Sequence, residues 1–152
     1  VAFRLSLRRP HLAARMKEHS SRALFMAKKL REFGQDVVYP GLPEHPDHAL
    51  FNRIRNKEYG FGGLFTIDMK TSERAERLMN LLQNEQQFGY IAVSLGYFDT
   101  LMSCPSASTS SEMSEEAQDT AGISPGLVRF SIGITGSIEE RWNQMKEAIE
   151  QC

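Results

Sequence analysis

Near its C-terminus the chain reads Leu127-Val128-Arg129-Phe130-Ser131-Ile132, a short segment in which apolar and polar side chains alternate. Successive side chains of an extended strand point to opposite faces, so three apolar residues share one face and Arg129 lies on the other. An arginine in that position can offer its planar guanidinium to a carboxylate. The alternative is a surface arginine that pairs with a nearby acidic residue, an interaction worth little. The segment predicts a strand with one buried face and makes Arg129 a candidate anion-binding residue.

The sequence that leads up to this strand is poor in positive charge. Arg129 is the only Lys or Arg between Arg77 and Arg141. From Ser103 to Gly126 the chain holds seven Ser, two Thr and two Pro. This composition is typical of a disordered linker.

Further periodic segments extend the pattern into a whole domain. Strands are predicted near residues 37–39, 65–70, 90–93 and 127–132, and helices near residues 11–33, 49–54, 72–82 and 138–149. Asp47 stands where the N-cap of the second helix is expected. The order α-β-α-β-α-β-β-α predicts an α+β fold with a small, mainly antiparallel four-stranded sheet and helices on one face.

The composition is that of one globular domain. The 152 residues include 18 Lys and Arg against 19 Asp and Glu, with 41% hydrophobic and 24% charged residues. No apolar run reaches the roughly 18 residues that indicate a membrane-spanning helix, which excludes that class. Cys104 and Cys152 form neither a disulfide framework nor a metal-ligand cluster, so we expect a reducing, cytoplasmic setting.

Positive charge is concentrated at the start of the chain. Residues 1–31 contain nine Lys and Arg against one Glu, whereas residues 32–152 contain nine Lys and Arg against eighteen Asp and Glu. Such a basic segment fits an organellar targeting peptide, a nucleic-acid-binding arm or the solvated face of an amphipathic helix. Apolar residues recur at helical spacing from Leu12 to Phe33, with Gly34 after them, which favours the helix. Because the chain begins at Val1 rather than at a methionine, we also expect it to be a fragment.

Two other clusters have a structural explanation that competes with a functional one. His45-Pro46-Asp47-His48 has two imidazoles and a carboxylate, but a zinc site needs three or four convergent ligands, so turn and cap hydrogen bonds are expected instead. Gly60-Phe61-Gly62-Gly63 lacks the Gly-Lys-Ser/Thr of a phosphate loop and precedes a strand. Its glycines are expected to allow a close backbone approach or a positive φ. No serine or cysteine stands in a nucleophile motif. The residues alone predict neither a metal centre nor self-sufficient catalysis.

Four motifs, taken in order, resemble the C-terminal part of the Cys/Met-metabolism pyridoxal-phosphate (PLP) enzymes. They are Val37–Pro43 followed by His45, Pro46 and His48; Gly60–Gly63; Val93–Gly96 followed by Asp99–Leu101; and Gly126–Ile134. The opening segments Phe3–Arg8 and Pro10–Met16 resemble the long helix that joins the large and small domains of these enzymes. The resemblance covers nearly the whole chain. It implies the C-terminal domain of a fold-type I PLP enzyme, with residues 1–34 as the connecting helix and residues 35–152 as the small domain.

The resemblance also implies roles for particular residues. Arg129 would bind the α-carboxylate of an amino-acid substrate, assisted by Ser94 of the Ser-Leu-Gly motif. Leu95 and Thr109 would belong to active-site loops, so that residues 103–126 would form an ordered loop over the site. The lysine that holds PLP belongs to the family's large domain, and no lysine here has its Ser-x-Thr-Lys context. We therefore expect no catalytic residue, cofactor-binding residue or metal ligand in this chain, and no activity of the chain alone.

Within the family, Ser94-Leu95-Gly96 followed by Asp99-Thr100-Leu101 is most similar to the methionine γ-lyases, although Tyr97-Phe98 departs from the small or acidic residues of the bacterial enzymes. This implies a homotetrameric lyase that eliminates the γ-substituent of methionine and gives methanethiol, 2-oxobutanoate and ammonia. The alternatives are a cystathionine γ-synthase or γ-lyase, and a non-catalytic carboxylate-binding module. The implied partners are an amino-acid substrate, the chain's own large domain and further subunits, with neither nucleic acid nor a membrane among them.

Overall fold

The computed structural model describes residue 7 and residues 9–152. Residues 1–6 and 8, which belong to the predicted connecting segment, lie outside the described residues. After a 3-10 turn at Arg9–His11, the described α-helices are α1 (Leu12–Glu32), α2 (His48–Ile54), α3 (Ser72–Asn80), α4 (Glu115–Thr120) and α5 (Ile138–Glu150). A π-helical turn, Leu81–Glu85, continues α3. The strands are β1 (Val37–Val38), β2 (Leu64–Asp68), β3 (Gly89–Ile91), β4 (Thr100–Ser103) and β5 (Leu127–Ser131). No helix of the described residues is long and apolar enough to cross a membrane.

Strand β5 occupies the centre of a five-stranded sheet, whose order is β1-β2-β5-β4-β3. It pairs antiparallel with β2 and β4, whereas β3 and β4 run parallel. The α+β class is confirmed, but the predicted four-stranded, mainly antiparallel sheet is wrong because the sheet has a fifth strand and is mixed. The missed strand is β4, in which all four residues are buried. It therefore lacks the alternation by which a half-buried strand is recognised.

The parallel strands β3 and β4 are joined by a crossover loop, residues 92–99, that passes over one face of the sheet. The loop leaves β3 at the sheet edge and reaches past β4 to β5, where Gly96 N–H donates to Ser131 Oγ at 3.0 Å. Beyond the end of β5, Ile134 N–H donates to the Phe98 carbonyl at 2.7 Å. Parallel neighbours cannot be joined by a tight hairpin turn, so the chain has to cross the sheet here. This path brings residues 94–96 to the central strand.

The helices α1, α3 and α5 contribute the core on the opposite face of the sheet. Helix α1 starts and ends within one residue of the predicted span, and its buried apolar stripe confirms the amphipathic helix: Ala23, Met26, Ala27 and Leu30 are all fully buried. On the strands, the rings of Phe65 and Phe130 stack with their centroids 5.3 Å apart. This core fixes which side chains of β5 face inward and leaves Arg129 on the open face.

The Gly60–Gly63 segment packs its backbone against α1. Gly60 and Gly62 have positive φ angles of +73° and +88°. Ser20 Oγ accepts hydrogen bonds from two backbone N–H groups of this segment, at 2.7 and 3.2 Å. Tyr39 donates to the Gly62 carbonyl at 2.8 Å, and burial raises the pKa of Tyr39 to about 12, so the phenol remains a donor. The predicted close approach and positive φ are both confirmed.

Gly60→Ala is expected to destabilise the chain more than Gly34→Ala. Both glycines have a positive φ, but a Cβ on Gly34 would meet no atom within 4 Å, whereas a Cβ on Gly60 would collide with the Ser20 hydroxyl. A positive φ costs an L-residue about 1 kcal/mol, and weakening the Ser20 hydrogen bonds adds about 1 kcal/mol. Urea unfolding should show a loss of roughly 2 kcal/mol for Gly60→Ala and about 1 kcal/mol for Gly34→Ala. Equal losses would show that the Ser20 contact contributes nothing.

Candidate functional site

Arg129 lies in the middle of β5, on the face of the sheet away from the helical core. Its neighbours across the strands are Thr66 on β2 and Ser103 on β4. The guanidinium Nη2 donates to the Ser94 carbonyl at 3.4 Å, and Nε is buried without a hydrogen-bond partner among the described residues. None of the ion pairs formed by the described side chains includes Arg129. The competing surface ion pair is therefore not found in this part of the chain, and most of the five N–H donors stay available.

The side chains of Ser131 and Arg15 hydrogen-bond to the backbone of Gly96 and hold the crossover loop beside Arg129. We call these two side chains the Gly96 clamp. Ser131 Oγ accepts from Gly96 N–H at 3.0 Å, and Arg15 Nη2 of helix α1 donates to the Gly96 carbonyl at 2.6 Å. Gly96 has a φ of +68°, a conformation that L side chains rarely adopt. The clamp thus fixes the position of Ser94, whose side chain is exposed and whose carbonyl contacts Arg129.

A cleft of about 190 Å³ lies between α1, the crossover loop and the open face of the sheet. Leu95, which is 54% exposed, lines the cleft together with mainly apolar neighbours that include Met16 and Leu64. His19 is buried in its wall, and its Nδ1–H donates to the Ile132 carbonyl at 2.5 Å. The cleft shares Ser131 with the Gly96 clamp, and Ser131 lies two residues beyond Arg129 on the same face of β5.

Residues 103–126 are folded, whereas their composition indicates a disordered linker. The Pro105 carbonyl accepts hydrogen bonds from the N–H groups of Ser108 (3.1 Å) and Ser110 (2.8 Å), and helix α4 follows this turn. Thr109 lies exposed in the turn, and the structure gives it no hydrogen bond to Arg129 or Ser94 within the described residues. The structure therefore brings together Arg129, Ser94 and Leu95 but not Thr109.

The family model of the Cys/Met metabolism PLP-dependent enzymes matches residues 10–150. The chain belongs to this family. The resemblance drawn from the four sequence motifs is confirmed.

The similar proteins are considerably longer than this chain. A methionine γ-lyase of Arabidopsis thaliana is 55% identical over 98% of this chain and 34% of its own length. A cystathionine γ-lyase of Dictyostelium discoideum is 32% identical over 93% of this chain and 35% of its own length. A cystathionine γ-synthase from Xanthomonas oryzae, solved with aminoacrylate and cysteine, superposes with a TM-score of 0.79 at 32% identity, covering 93% of this chain and 35% of that structure. The chain thus spans about a third of the length of the relatives it matches.

None of the lysines of this chain has the surroundings of a lysine that holds PLP. None of its six lysines is buried, and they are Lys17, Lys28, Lys29, Lys57, Lys70 and Lys146. Several ammonium groups already have partners, such as Lys70 with Asp36 at 2.8 Å. A lysine that holds PLP needs a desolvated pocket or a cationic neighbour that lowers its pKa. PLP, when bound, supplies an electron sink, and a lysine that held it would need surroundings other than those of these six lysines.

The His45–His48 cluster has a structural role. Asp47 N–H donates to His45 Nδ1 at 3.1 Å, and His48 Nδ1–H donates to the Pro40 carbonyl at 2.8 Å. The turn hydrogen bonds are therefore confirmed. Asp47 is the N-cap residue of α2, as predicted, but its carboxylate makes no hydrogen bond to the first turn of that helix. Within the described residues no three metal-ligating side chains cluster together.

Sequence reasoning missed the two residues of the Gly96 clamp. The alternation along β5 could have found Ser131, because it places Ser131 on the same face as Arg129. Nothing in the sequence distinguishes Arg15 from the other basic residues of the first segment. Its contact with Gly96 joins residues 81 positions apart and depends on tertiary structure.

Removing either side of the Gly96 clamp is expected to loosen the crossover loop. Ser131→Ala removes the acceptor of Gly96 N–H, which contributes about 1 kcal/mol, so amide hydrogen exchange at Gly96 should become roughly fivefold faster. Arg15→Met should have a similar effect. Arg22→Met is the matched control, because Arg22 lies on the same helix but donates to the carbonyls of Thr135 (3.0 Å) and Gly136 (2.8 Å). Unchanged exchange in Ser131→Ala and Arg15→Met would mean that other contacts hold the loop.

Proposed function

We propose that this chain is the substrate-binding C-terminal part of a PLP-dependent lyase that cleaves methionine. The observation that carries this proposal is the state of Arg129: among the described residues its buried Nε has no partner, and its guanidinium makes one hydrogen bond of 3.4 Å. A carboxylate presents two parallel acceptors that match the fork of a guanidinium. The α-carboxylate of an amino acid is an anion of this shape.

Each residue implied by the family resemblance has a role in this proposal. Arg129 binds the α-carboxylate, and the exposed hydroxyl of Ser94 donates a further hydrogen bond to it. Leu95 forms part of the cleft that receives the apolar side chain. Thr109 and the rest of residues 103–126 close over the bound substrate and exclude water, which strengthens the charge interaction at Arg129.

The identities to the relatives favour methionine as the substrate. The relative with 55% identity is a methionine γ-lyase, whereas the cystathionine γ-lyase is 32% identical. The proposed reaction releases methanethiol, 2-oxobutanoate and ammonia. The alternatives are a cystathionine γ-synthase or γ-lyase, and a non-catalytic carboxylate-binding module. Release of methanethiol from methionine separates the proposed activity from all of these.

We also propose that residues 1–34 connect the small domain, residues 35–152, to a large domain that holds PLP, and that the enzyme is a homotetramer. Apolar side chains stay exposed on β3 and the crossover loop, and such patches mark interaction surfaces: they are Tyr90, Ile91, Val93, Tyr97 and Phe98.

Cys104 and Cys152 are both unpaired, which is consistent with the reducing, cytoplasmic setting that we propose.

The role of Arg129 can be tested in a chimera in which this chain replaces the matching segment of the Arabidopsis methionine γ-lyase. Arg129→Ala should lower kcat/KM for methionine about 100-fold or more, because two charge-assisted hydrogen bonds, each worth roughly 1.5–3 kcal/mol, are lost. Arg129→Lys should not restore activity, since an ammonium cannot reproduce the planar fork. The absorbance of bound PLP should be the same in all three proteins.

Near-normal kcat/KM in the Arg129→Lys chimera would show that Arg129 does not bind the carboxylate. A chimera that binds PLP and forms or cleaves cystathionine, but releases no methanethiol from methionine, would favour the cystathionine alternatives. The kcat/KM of the Arg129 variants is compared with that of the unmodified chimera, and the products are measured on the unmodified chimera itself.

The chain alone is expected to bind no PLP and to have no lyase activity. Its lysines are exposed or half-buried, and several are engaged in ion pairs. After incubation with PLP and gel filtration, the protein fraction should contain less than a tenth of an equivalent of cofactor. Stoichiometric PLP that persists through this step would contradict the proposed division between the two domains.

A further inference from the structure

Ser103 and Arg129 face each other across β4 and β5. They are paired in the antiparallel register, so their side chains lie on the same face of the sheet. Ser103 is only 3% exposed, and neither its Oγ nor Arg129 Nε has a hydrogen-bond partner among the described residues. Two directly opposed residues therefore each keep one buried polar atom unpaired.

Such atoms are rare in folded proteins and need an explanation. The two groups are chemically complementary, because Nε–H can only donate whereas a serine hydroxyl can also accept. Other serines of the same segment are satisfied: Ser106 donates to the Pro125 carbonyl at 3.3 Å, and Ser108 to the Cys104 carbonyl at 2.6 Å. What distinguishes Ser103 is its place opposite Arg129.

We infer that Ser103 is a positioning residue for Arg129. When a carboxylate occupies the site, the Ser103 hydroxyl accepts a hydrogen bond from Arg129 Nε and leaves the two Nη nitrogens to the carboxylate. This inference rests on the proposed function of Arg129.

Because the guanidinium is planar, one hydrogen bond from Nε to the Ser103 hydroxyl is enough to orient the whole group. Holding Nε fixes the plane of the group and hence the direction of its fork. The present contact from Nη2 to the Ser94 carbonyl is long, at 3.4 Å, and leaves the group free to turn. The hydrogen bond to Ser103 therefore fixes the orientation of the guanidinium, which the long contact with Ser94 does not fix before substrate binds.

The test compares two inhibitors that differ only in the carboxylate, L-norleucine and pentylamine, on the PLP-loaded chimera. Ser103→Ala should raise the inhibition constant of norleucine roughly tenfold, the effect of losing one hydrogen bond to a charged group, and leave that of pentylamine unchanged. Ser103→Thr keeps the hydroxyl and should retain the original ratio of the two constants.

Thr100→Val is the matched structural control. Thr100 lies on the same strand and is also buried, but its hydroxyl accepts from Gly133 N–H at 2.9 Å. Its replacement should lower thermal stability without changing the inhibitor ratio. A purely structural role of Ser103 would give this same result.

A double-mutant cycle tests whether Ser103 acts through Arg129. Lysine has no Nε–H donor at that position, so adding Ser103→Ala to Arg129→Lys should change the inhibitor ratio less than twofold. An equal effect of Ser103→Ala in both backgrounds would overturn the positioning role.

The inference and the proposed function fail in different ways. An unchanged inhibitor ratio in Arg129→Ala overturns the proposed function. A changed ratio in Arg129→Ala together with an unchanged ratio in Ser103→Ala overturns the role of Ser103 alone. If Ser103→Ala does not fold, Ser103→Cys replaces the hydroxyl with a slightly larger thiol that accepts only weakly, and an unchanged ratio in that variant also overturns the inference.

Discussion

The antiparallel register of β5 with β2 and β4 determines the core and the candidate site together. In this register Phe130 is paired with Phe65 and Met102 on the core face, while Arg129 is paired with Thr66 and Ser103 on the open face. A shift of one residue would exchange the two faces of β5. It would place a guanidinium in the apolar core, where an unpaired charge is costly, and would expose the ring of Phe130. The packing of the core therefore dictates which way Arg129 points.

Gly96, in the middle of the crossover loop, finds its partners among side chains, whereas the two ends of the loop pair with backbone groups of Met102 and Ile134. Strands β4 and β5 already use their backbone groups in the sheet, so the part of the loop that passes over them needs other partners. The Gly96 clamp supplies the missing partners, Ser131 from the sheet and Arg15 from α1. Helix α1 thereby packs on the core and also holds the loop that carries Ser94. A displacement of α1 relative to the sheet would move that loop with it.

The sequence predicts a residue's position correctly where that position depends on a local periodicity of apolar and polar residues. The stripe of α1 and the alternation of β5 each identify a face without any tertiary information, and so Arg129 could be assigned to the open face. Strand β4 has no exposed face, since all four of its residues are buried, and it was missed. Helix α4 lies in a serine-rich segment whose composition indicates disorder, and it spans only six residues. The roles of Ser103 and Arg15 depend on contacts between distant segments, which no local pattern contains.

The surroundings of Arg129 explain why its guanidinium stays available in a chain whose residues 32–152 hold twice as many acidic as basic groups. The nearest acidic residue along the crossover loop is Asp99, and a carboxylate tethered that close would compete with any free substrate through its high effective concentration. Asp99 is engaged elsewhere: its Oδ1 lies 3.5 Å from Arg141 Nη2 and accepts a hydrogen bond from Thr135. Arg141 of helix α5 thus occupies the tethered carboxylate, which in the proposed function leaves the fork of Arg129 to a diffusing one.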